Sequence, residues 1–178
     1  NVLWQHESIK GYPAIGDLNG DNQPEIISVY SGTVTVLDKH GNTLWSIDRG
    51  NRGGPPTVAD FDGDGEAEVG IASKDTYTVL DGDGTTLWSQ PIQEQSSGMT
   101  GSSVFDFEGD GAAEVVYADE ETLWVFDGAS GVVEMEWDAH SSGTRFEYPT
   151  IVDVDADGSA EILLPGGRDS EYGLRVIG

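Results

Sequence analysis

The side chains best placed to do chemistry form four acidic nonapeptides. They read Asp17-Leu18-Asn19-Gly20-Asp21-Asn22-Gln23-Pro24-Glu25 and Asp60-Phe61-Asp62-Gly63-Asp64-Gly65-Glu66-Ala67-Glu68. The third is Asp106-Phe107-Glu108-Gly109-Asp110-Gly111-Ala112-Ala113-Glu114, and the fourth Asp153-Val154-Asp155-Ala156-Asp157-Gly158-Ser159-Ala160-Glu161. Every copy offers side-chain oxygens at positions 1, 3, 5 and 9. Short oxygen-bearing side chains converging over a Gly-bearing turn suit a hard cation, and Ca²⁺ takes six to eight oxygens at about 2.3–2.6 Å. Zinc would want His or Cys, and Mg²⁺ rarely accepts an all-protein cage. An EF-hand needs a Glu at position 12 between flanking helices. Here position 12 is Ser28, Ile71, Tyr117 and Leu164, so that reading fails. Up to four Ca²⁺ are expected, one per loop.

The balance of charge agrees with this reading. Net charge is −25, from 33 acidic against 8 basic residues, and nearly half of the acids sit at the proposed ligand positions. Such a surface repels nucleic-acid phosphates and anionic membranes, so neither is an expected partner. The 178-residue chain suffices for one domain with a real core. It has no Cys, hence no disulfide framework, and no apolar run approaches the ~20 residues of a membrane-spanning helix.

The loops recur every forty-odd residues, so the elements that position them recur too. One apolar run leads into each loop: Tyr12–Asp17, Pro56–Asp60, Ser102–Asp106 and Tyr148–Asp153. A second run leaves its Glu, and a third is Thr33–Asp38, Thr76–Asp81, Thr122–Asp127 and Gly173–Gly178. A fourth contains Asn42-Thr43-Leu44-Trp45, Thr85-Thr86-Leu87-Trp88 and Val132–Trp137. These runs are short, rich in β-branched and aromatic residues, and separated by turn residues, so they read as strands A to D. Four-stranded antiparallel units at this period indicate an all-β fold, a β-propeller of four blades. The blades fall at about 12–48, 55–90, 101–138 and 148–178, the last joined by 1–7. The fourth unit lacks strand D, whereas Asn1-Val2-Leu3-Trp4 matches Asn42–Trp45. Val2–His6 is expected to pair beside Leu174–Ile177, closing the ring. The alternatives are donation of this strand to a second copy, giving a homodimeric ring, or excision from a longer propeller.

The element Pro56-x-x-x-Asp60-Phe-Asp-Gly-Asp-Gly-x-x-Glu68-Val69, its three echoes and the Val-Leu-Asp…Gly…Leu-Trp hairpin carry a resemblance. The chain resembles the FG-GAP/VCBS repeats of integrin-α-like propellers, particularly bacterial forms, over essentially its whole length. That resemblance implies one Ca²⁺ per A–B loop. The ligands would be Asp17, Asn19, Asp21 and Glu25; Asp60, Asp62, Asp64 and Glu68; Asp106, Glu108, Asp110 and Glu114; and Asp153, Asp155, Asp157 and Glu161. The backbone carbonyls of Gln23, Glu66, Ala112 and Ser159 would each add a ligand. Asn22 replaces Gly at position 6, Glu108 is a methylene longer than Asp, and Ala156 replaces Gly at position 4. The neutral Asn19 makes the first site the weakest expected binder.

No catalytic constellation is visible: His6, His40 and His140 fall at unrelated points of the repeat, and there is no Gly-x-Ser-x-Gly elbow or phosphate loop. Asp81-Gly82-Asp83-Gly84 aligns with the other C–D turns and reads as a hairpin, not a metal loop. Trp4, Trp45 and Trp88 share one slot, which Met135 fills in the third unit, and are expected to pack between blades. In an A-B-C-D blade, A–B and C–D turns share one face, leaving 48–54, 91–101, 138–146 and 166–172 on the other. Variable loops on a rigid scaffold are where recognition usually sits. The bases Arg49, Arg52, His140, Arg145 and Arg168 gather there. The expected function is an extracellular or cell-surface module binding a protein or glycan. A polysaccharide-active enzyme fragment and a purely structural spacer are the alternatives.

Overall fold

The computed structural model describes residues 1–139, 144, 148–166 and 173–178. Among them every regular element is a strand. Blade 1 comprises β1 (Tyr12–Gly16), β2 (Glu25–Tyr30), β3 (Thr33–Leu37) and β4 (Thr43–Asp48). Blade 2 comprises β5 (Thr57–Ala59), β6 (Glu68–Ala72), β7 (Thr76–Leu80) and β8 (Thr86–Pro91). Blade 3 follows with β9 (Ser103–Phe105), β10 (Glu114–Ala118), β11 (Thr122–Phe126) and β12 (Val133–Asp138). Blade 4 holds β13 (Thr150–Val152), β14 (Glu161–Gly166) and β15 (Gly173–Ile177). Each sheet is an antiparallel meander in chain order, four-stranded in the first three and three-stranded in the last. The register slips by one residue at Val36/Leu37, Val79/Leu80 and Val125/Phe126, a bulge at the same place in three blades. Bulges bend and twist the outer strand pair. The fold is that of a β-propeller.

Alternation of side chains along the strands explains why blades stack. Residues i and i+2 of a strand share a face, and the two faces of one sheet meet different neighbours. Val34 and Val36 of β3 join Val69, Ile71 and Leu80 of blade 2 in one core. Tyr77 and Val79 of β7 join Val115, Tyr117 and Phe126 of blade 3 in the next, and Leu123 and Val125 of β11 join Ile162, Leu164 and Ile177 in the third. The middle core is the most aromatic: Tyr77 stacks on Trp88 and Phe126 at 5.7 and 6.2 Å, and Trp124 stacks on Phe126 at 5.7 Å. Such pairs contribute about 0.5–1.5 kcal/mol each beyond area burial. Gly70 makes room for the Tyr77 ring, since a Cβ there would lie 2.3 Å from its hydroxyl.

The tryptophans fasten one blade to the next. Trp45 Nε1 on β4 donates to the Gly82 carbonyl (2.8 Å), and Trp88 Nε1 on β8 donates to the Gly128 carbonyl (2.6 Å). Both acceptors lie in the C–D turn of the following blade. Met135 in the equivalent slot lines an apolar cavity of 240 Å³ with Phe107, Val125, Ile162 and Ile177. The expected closing strand is not formed: residues 1–10 contain no strand, and among the described residues no fourth strand joins the edge of β15. Instead the N-terminal segment lies over blade 1, where Ser28 Oγ donates to the Lys10 carbonyl (2.6 Å). Pairing between segments so far apart in sequence is not dictated by local pattern, which matches Asn1–Trp4 to Asn42–Trp45 without fixing the sheet it would join.

Candidate metal centres and the opposite face

All four acidic nonapeptides connect strand A to strand B and share one backbone frame. Position 1 accepts the amide of position 6: Asn22 N to Asp17 (2.7 Å), Gly65 N to Asp60 (2.9 Å), Gly111 N to Asp106 (2.9 Å) and Gly158 N to Asp153 (3.1 Å). Position 5 accepts the amide of position 7: Gln23 N to Asp21 (2.8 Å), Glu66 N to Asp64 (2.8 Å), Ala112 N to Asp110 (3.0 Å) and Ser159 N to Asp157 (2.8 Å). Position 9 reaches back to the amide of position 2: Leu18 N to Glu25 (3.0 Å), Phe61 N to Glu68 (2.6 Å), Phe107 N to Glu114 (2.7 Å) and Val154 N to Glu161 (2.8 Å). Glu25, Glu68, Glu114 and Glu161 are all buried. Positions 4 and 6 are left-handed in every loop, with φ of 67, 76, 73 and 63° at Gly20, Gly63, Gly109 and Ala156. Position 6 has φ of 62, 93, 100 and 96° at Asn22, Gly65, Gly111 and Gly158. That explains the Gly pattern, since a Cβ in this region is costly and Asn bears it better than most.

In the second and fourth loops the frame turns three carboxylates toward one another. Ligand atoms of Asp60, Asp62 and Glu68 lie within 4.8 Å of one another, as do those of Asp153, Asp155 and Glu161. The third position is the point of variation. Asp21, Asp64 and Asp157 each donate their amide to it (3.0–3.2 Å), whereas in the third loop the Asp110 amide goes to Asp106 at 3.1 Å. The longer Glu108 marks that difference.

Crowded carboxylates leave an electrostatic signature. Burial pushes the Glu68 carboxyl up to about 7 against the pull of the Phe61 amide, with Asp62, Asp60 and Asp64 adding to the rise. Glu114 is likewise raised to about 7, by burial first and then by Glu108, while the Phe107 amide opposes. Asp106 is held below the usual carboxylate range, chiefly by the Gly111 amide and also by Gly109 and Asp110. Bringing a divalent cation among such groups favours their charged forms. An all-oxygen donor set, mostly carboxylate and on short side chains, fits Ca²⁺ better than a softer metal. Gln23, Glu66, Ala112 and Ser159 supply the amides that fix position 5, so their backbone lies against the carboxylate cluster.

Neighbouring loops also interlock. Ala67 N donates to the Asp17 carbonyl (3.2 Å) and Ala113 N to the Asp60 carbonyl (2.9 Å). Gly82 packs so closely that a Cβ would sit 1.8 Å from the Leu18 carbonyl oxygen, and at Gly128 it would sit 2.2 Å from that of Ala113. Asp81–Gly84 closes a turn, with Gly84 N on the Asp81 carbonyl and Thr85 N on Asp83, each at 2.8 Å.

At the other ends of the strands lies a cavity of 340 Å³ lined by Gly11, Tyr12, Val29, Tyr30, Arg52 and Met99 among others. Arg52, one of the expected bases, lines it; Arg49 does not, because its guanidinium is half-buried and donates to Thr78 Oγ1 (2.7 Å) across the blade boundary. Burial lowers its pKa from the usual arginine value. His140, Arg145 and Arg168, with much of connections 138–146 and 166–172, lie outside the described residues.

Sequence reasoning passed over Glu94. This carboxylate is fully buried and accepts from Ser97 Oγ (2.6 Å), Thr100 Oγ1 (2.8 Å), Thr144 Oγ1 (2.9 Å) and Tyr117 Oη (3.5 Å). It ties the 91–101 connection into a knot that carries Met99 to the cavity. The local signal was an acid followed by Ser96, Ser97, Gly98 and Thr100, a run able to wrap hydroxyls and amides around one carboxylate.

With the geometry in hand, the comparisons are consistent. Residues 17–71, from the first acidic loop through strand B of blade 2, match the family of FG-GAP-like repeats. The chain therefore carries this repeat, set in a propeller-type all-β fold. Among solved structures it superposes on the Vibrio cholerae biofilm matrix protein Bap1 with a TM-score of 0.83 at 15% identity, covering 98% of this chain and 57% of that one. A rhamnogalacturonan lyase of Bacillus licheniformis gives 0.64 at 20% identity, covering 88% and 39%. An Agrocybe aegerita lectin that recognises non-reducing terminal N-acetylglucosamine gives 0.57 at 18%, covering 97% and 49%. The chain thus spans about two fifths to three fifths of these structures, and at such identities the likeness is one of fold. No curated protein matches the sequence.

Proposed function

We propose that the chain is a calcium-stabilised binding module of an extracellular or cell-surface protein, with up to four Ca²⁺ on one face and a protein or glycan ligand on the other. The reading rests on one observation: four loops repeat the same hydrogen-bonded frame with a buried Glu closing each, and in the second and fourth the oxygens of two Asp and that Glu lie within 4.8 Å of one another. Ions bound there offset carboxylate repulsion and couple folding to calcium. Extracellular Ca²⁺ is abundant enough to fill sites of modest affinity. The ligand face is assigned to the cavity of Tyr12, Tyr30, Arg52 and Met99, whose size suits a sugar or a side chain. Its one cation and two phenols favour an anionic partner on a protein that is otherwise strongly acidic.

Thermal unfolding in excess Ca²⁺ and in excess chelator tests the metal half. A higher midpoint with Ca²⁺, reversed by chelator and not restored by Mg²⁺, is expected; equal midpoints would refute it. For the ligand half, binding to an array of neutral and acidic glycans is compared between the wild type and Arg52→Ala. Retained stability with lost binding supports the assignment. Turnover of a bound polysaccharide would instead favour the enzyme reading suggested by the lyase likeness.

A further inference from the structure

Two bases of this acidic chain face each other where blade 2 meets the 48–54 connection. An antiparallel bridge joins Gly53 to Ser73, just beyond β6, and Gly54 N donates to the Ala72 carbonyl at 2.9 Å. Continuing that register sets Arg52 opposite Lys74. A Cβ on Gly98, in the 91–101 connection, would lie 3.7 Å from the Cβ of each, so both side chains spring from the same spot. Two backbone bonds hold that connection in place: Glu94 N donates to the Lys74 carbonyl at 3.0 Å and Ile92 N to the Asp75 carbonyl at 3.1 Å. The buried Glu94 carboxylate fixes the rest of it through Ser97 and Thr100.

Like charges directly opposite across a strand pair destabilise it. Arg52 and Lys74 are exposed, and among the described residues neither charged group has a hydrogen-bond or ion-pair partner. The acids nearby are engaged by neutral donors instead. Asp75 accepts from Gln95 Nε2 at 2.6 Å, Glu120 accepts the Ser96 amide, and Glu94 is buried among hydroxyls. The acidic loops lie at the other ends of the strands, about 17 Å away. That is roughly twice the Debye length of about 8 Å at physiological salt. A chain with 33 acids and 8 bases thus sets two of those bases side by side without neutralising them.

The pair opens into a polar cavity of 360 Å³, lined by Arg52 and Lys74 with Asn51, Gln95, Ser96 and Gly98. Arg52 also lines the cavity of Tyr12, Tyr30 and Met99, so one guanidinium joins two compartments. We infer that the two form one groove for an acidic glycan. An anionic sugar sits between Arg52 and Lys74, and a neighbouring ring lies against Tyr30. This rests on the ligand face proposed above and adds to it a second subsite, a second cation and a ligand class. A carboxylate or sulfate on the sugar suits the planar fork of Arg52, and the Lys74 ammonium adds a point charge. Asn51 and Ser96 bring amide and hydroxyl groups that can pair with ring hydroxyls. Tyr30, 54% exposed, offers an apolar face for the C–H groups of a sugar beside a polar tip. A polymer of sugars fills both compartments with one repeating unit, whereas an acidic peptide matches the cations alone.

Titration calorimetry at constant Ca²⁺ tests the inference with glucuronate oligomers, glucose oligomers of the same linkage, sulfated glucose oligomers and polyglutamate. Tighter binding of glucuronate or sulfated oligomers than of the neutral ones is expected, weakening with added salt; whichever binds names the anion. Lys74→Ala, with an unchanged circular dichroism spectrum, should weaken that binding by about tenfold or more. Lys39→Ala removes the same charge from an exposed position in a C–D turn and should leave it unchanged. Equal affinity for neutral and acidic oligomers overturns the inference while leaving the ligand face in place. So does binding lost in Arg52→Ala but kept in Lys74→Ala, which confines the ligand to the first cavity. An equal loss in both lysine variants reduces the effect to net charge and overturns it as well. Polyglutamate bound in preference to every sugar overturns it in favour of an acidic protein. Binding of none of the four probes overturns it too and leaves the ligand face to the glycan array.

Discussion

Glu68→Gln separates a metal-binding carboxylate from a merely structural one, because the two roles give opposite signs. Glu68 is 2% exposed, closes the second loop by accepting the Phe61 amide at 2.6 Å, and has its pKa raised to about 7 by burial and by three neighbouring aspartates. Glutamine keeps an oxygen for that amide and removes a charge the metal-free loop tolerates poorly. In chelator at pH 8 the variant should therefore melt at or above the wild type. In Ca²⁺ it loses a ligand. A site filled at a hundredfold excess over Kd adds about 2.7 kcal/mol. A domain of this length moves by roughly 2–4 °C per kcal/mol, so the variant should melt about 5–11 °C below the wild type in Ca²⁺. Differential scanning calorimetry reads both arms, and titration calorimetry should show one fewer bound Ca²⁺. If the calcium-induced rise in midpoint is the same for variant and wild type, the second loop is not a calcium site.

Other consequences follow from the same geometry. Glu68 and Glu114 titrate near 7 in the folded chain against 4.5 for an ordinary Glu, so the fold holds more protons than the unfolded chain between those values. Metal-free stability should then be greatest below the lower value and fall as pH rises through 7, whereas saturating Ca²⁺ should flatten this dependence; chelator melts from pH 5 to 8 check the sign. Ala156, at φ 63° where three loops have Gly, should accept Ala156→Gly with a gain of about 0.5–1 kcal/mol, measured by denaturant midpoint. Trp88→Phe strips the buried Gly128 carbonyl of its 2.6 Å donor and should cost about 1–3 kcal/mol, whereas Trp137→Phe, at 44% exposure, should cost little.

The fold was legible because local pattern and period agreed in four registers. Each loop needs Gly or a tolerant residue where the backbone turns left-handed, oxygens at alternate positions, and a Glu that can reach back to position 2. All of these are short-range requirements written into nine residues. The tryptophan slot was legible for the same reason. What escaped was nonrepetitive or long-range. Glu94 has no counterpart in the other units, and its partners Tyr117 and Thr144 lie 23 and 50 residues away. The grouping of Tyr12, Arg52 and Met99 depends on how three separate connections cross the same end of the sheets. Residues 1–6 match strand D in sequence, but the structure forms no strand there: it seats Trp4 on blade 1 and leaves the edge of β15 without it, a pairing that local pattern does not decide.

The two faces differ in how far they repeat, and that difference bears on where a partner would sit. On the acidic face each loop is fixed by its own amides, and the first three are tied together through Ala67 and Ala113 and wedged against Gly82 and Gly128 with no room for a Cβ. A substitution there propagates to the adjacent blade, so this face suits a constant scaffold. The opposite face is set by connections of unequal length and composition, one organised by Glu94 and another carrying Arg52, so its surface differs from blade to blade where the acidic face repeats.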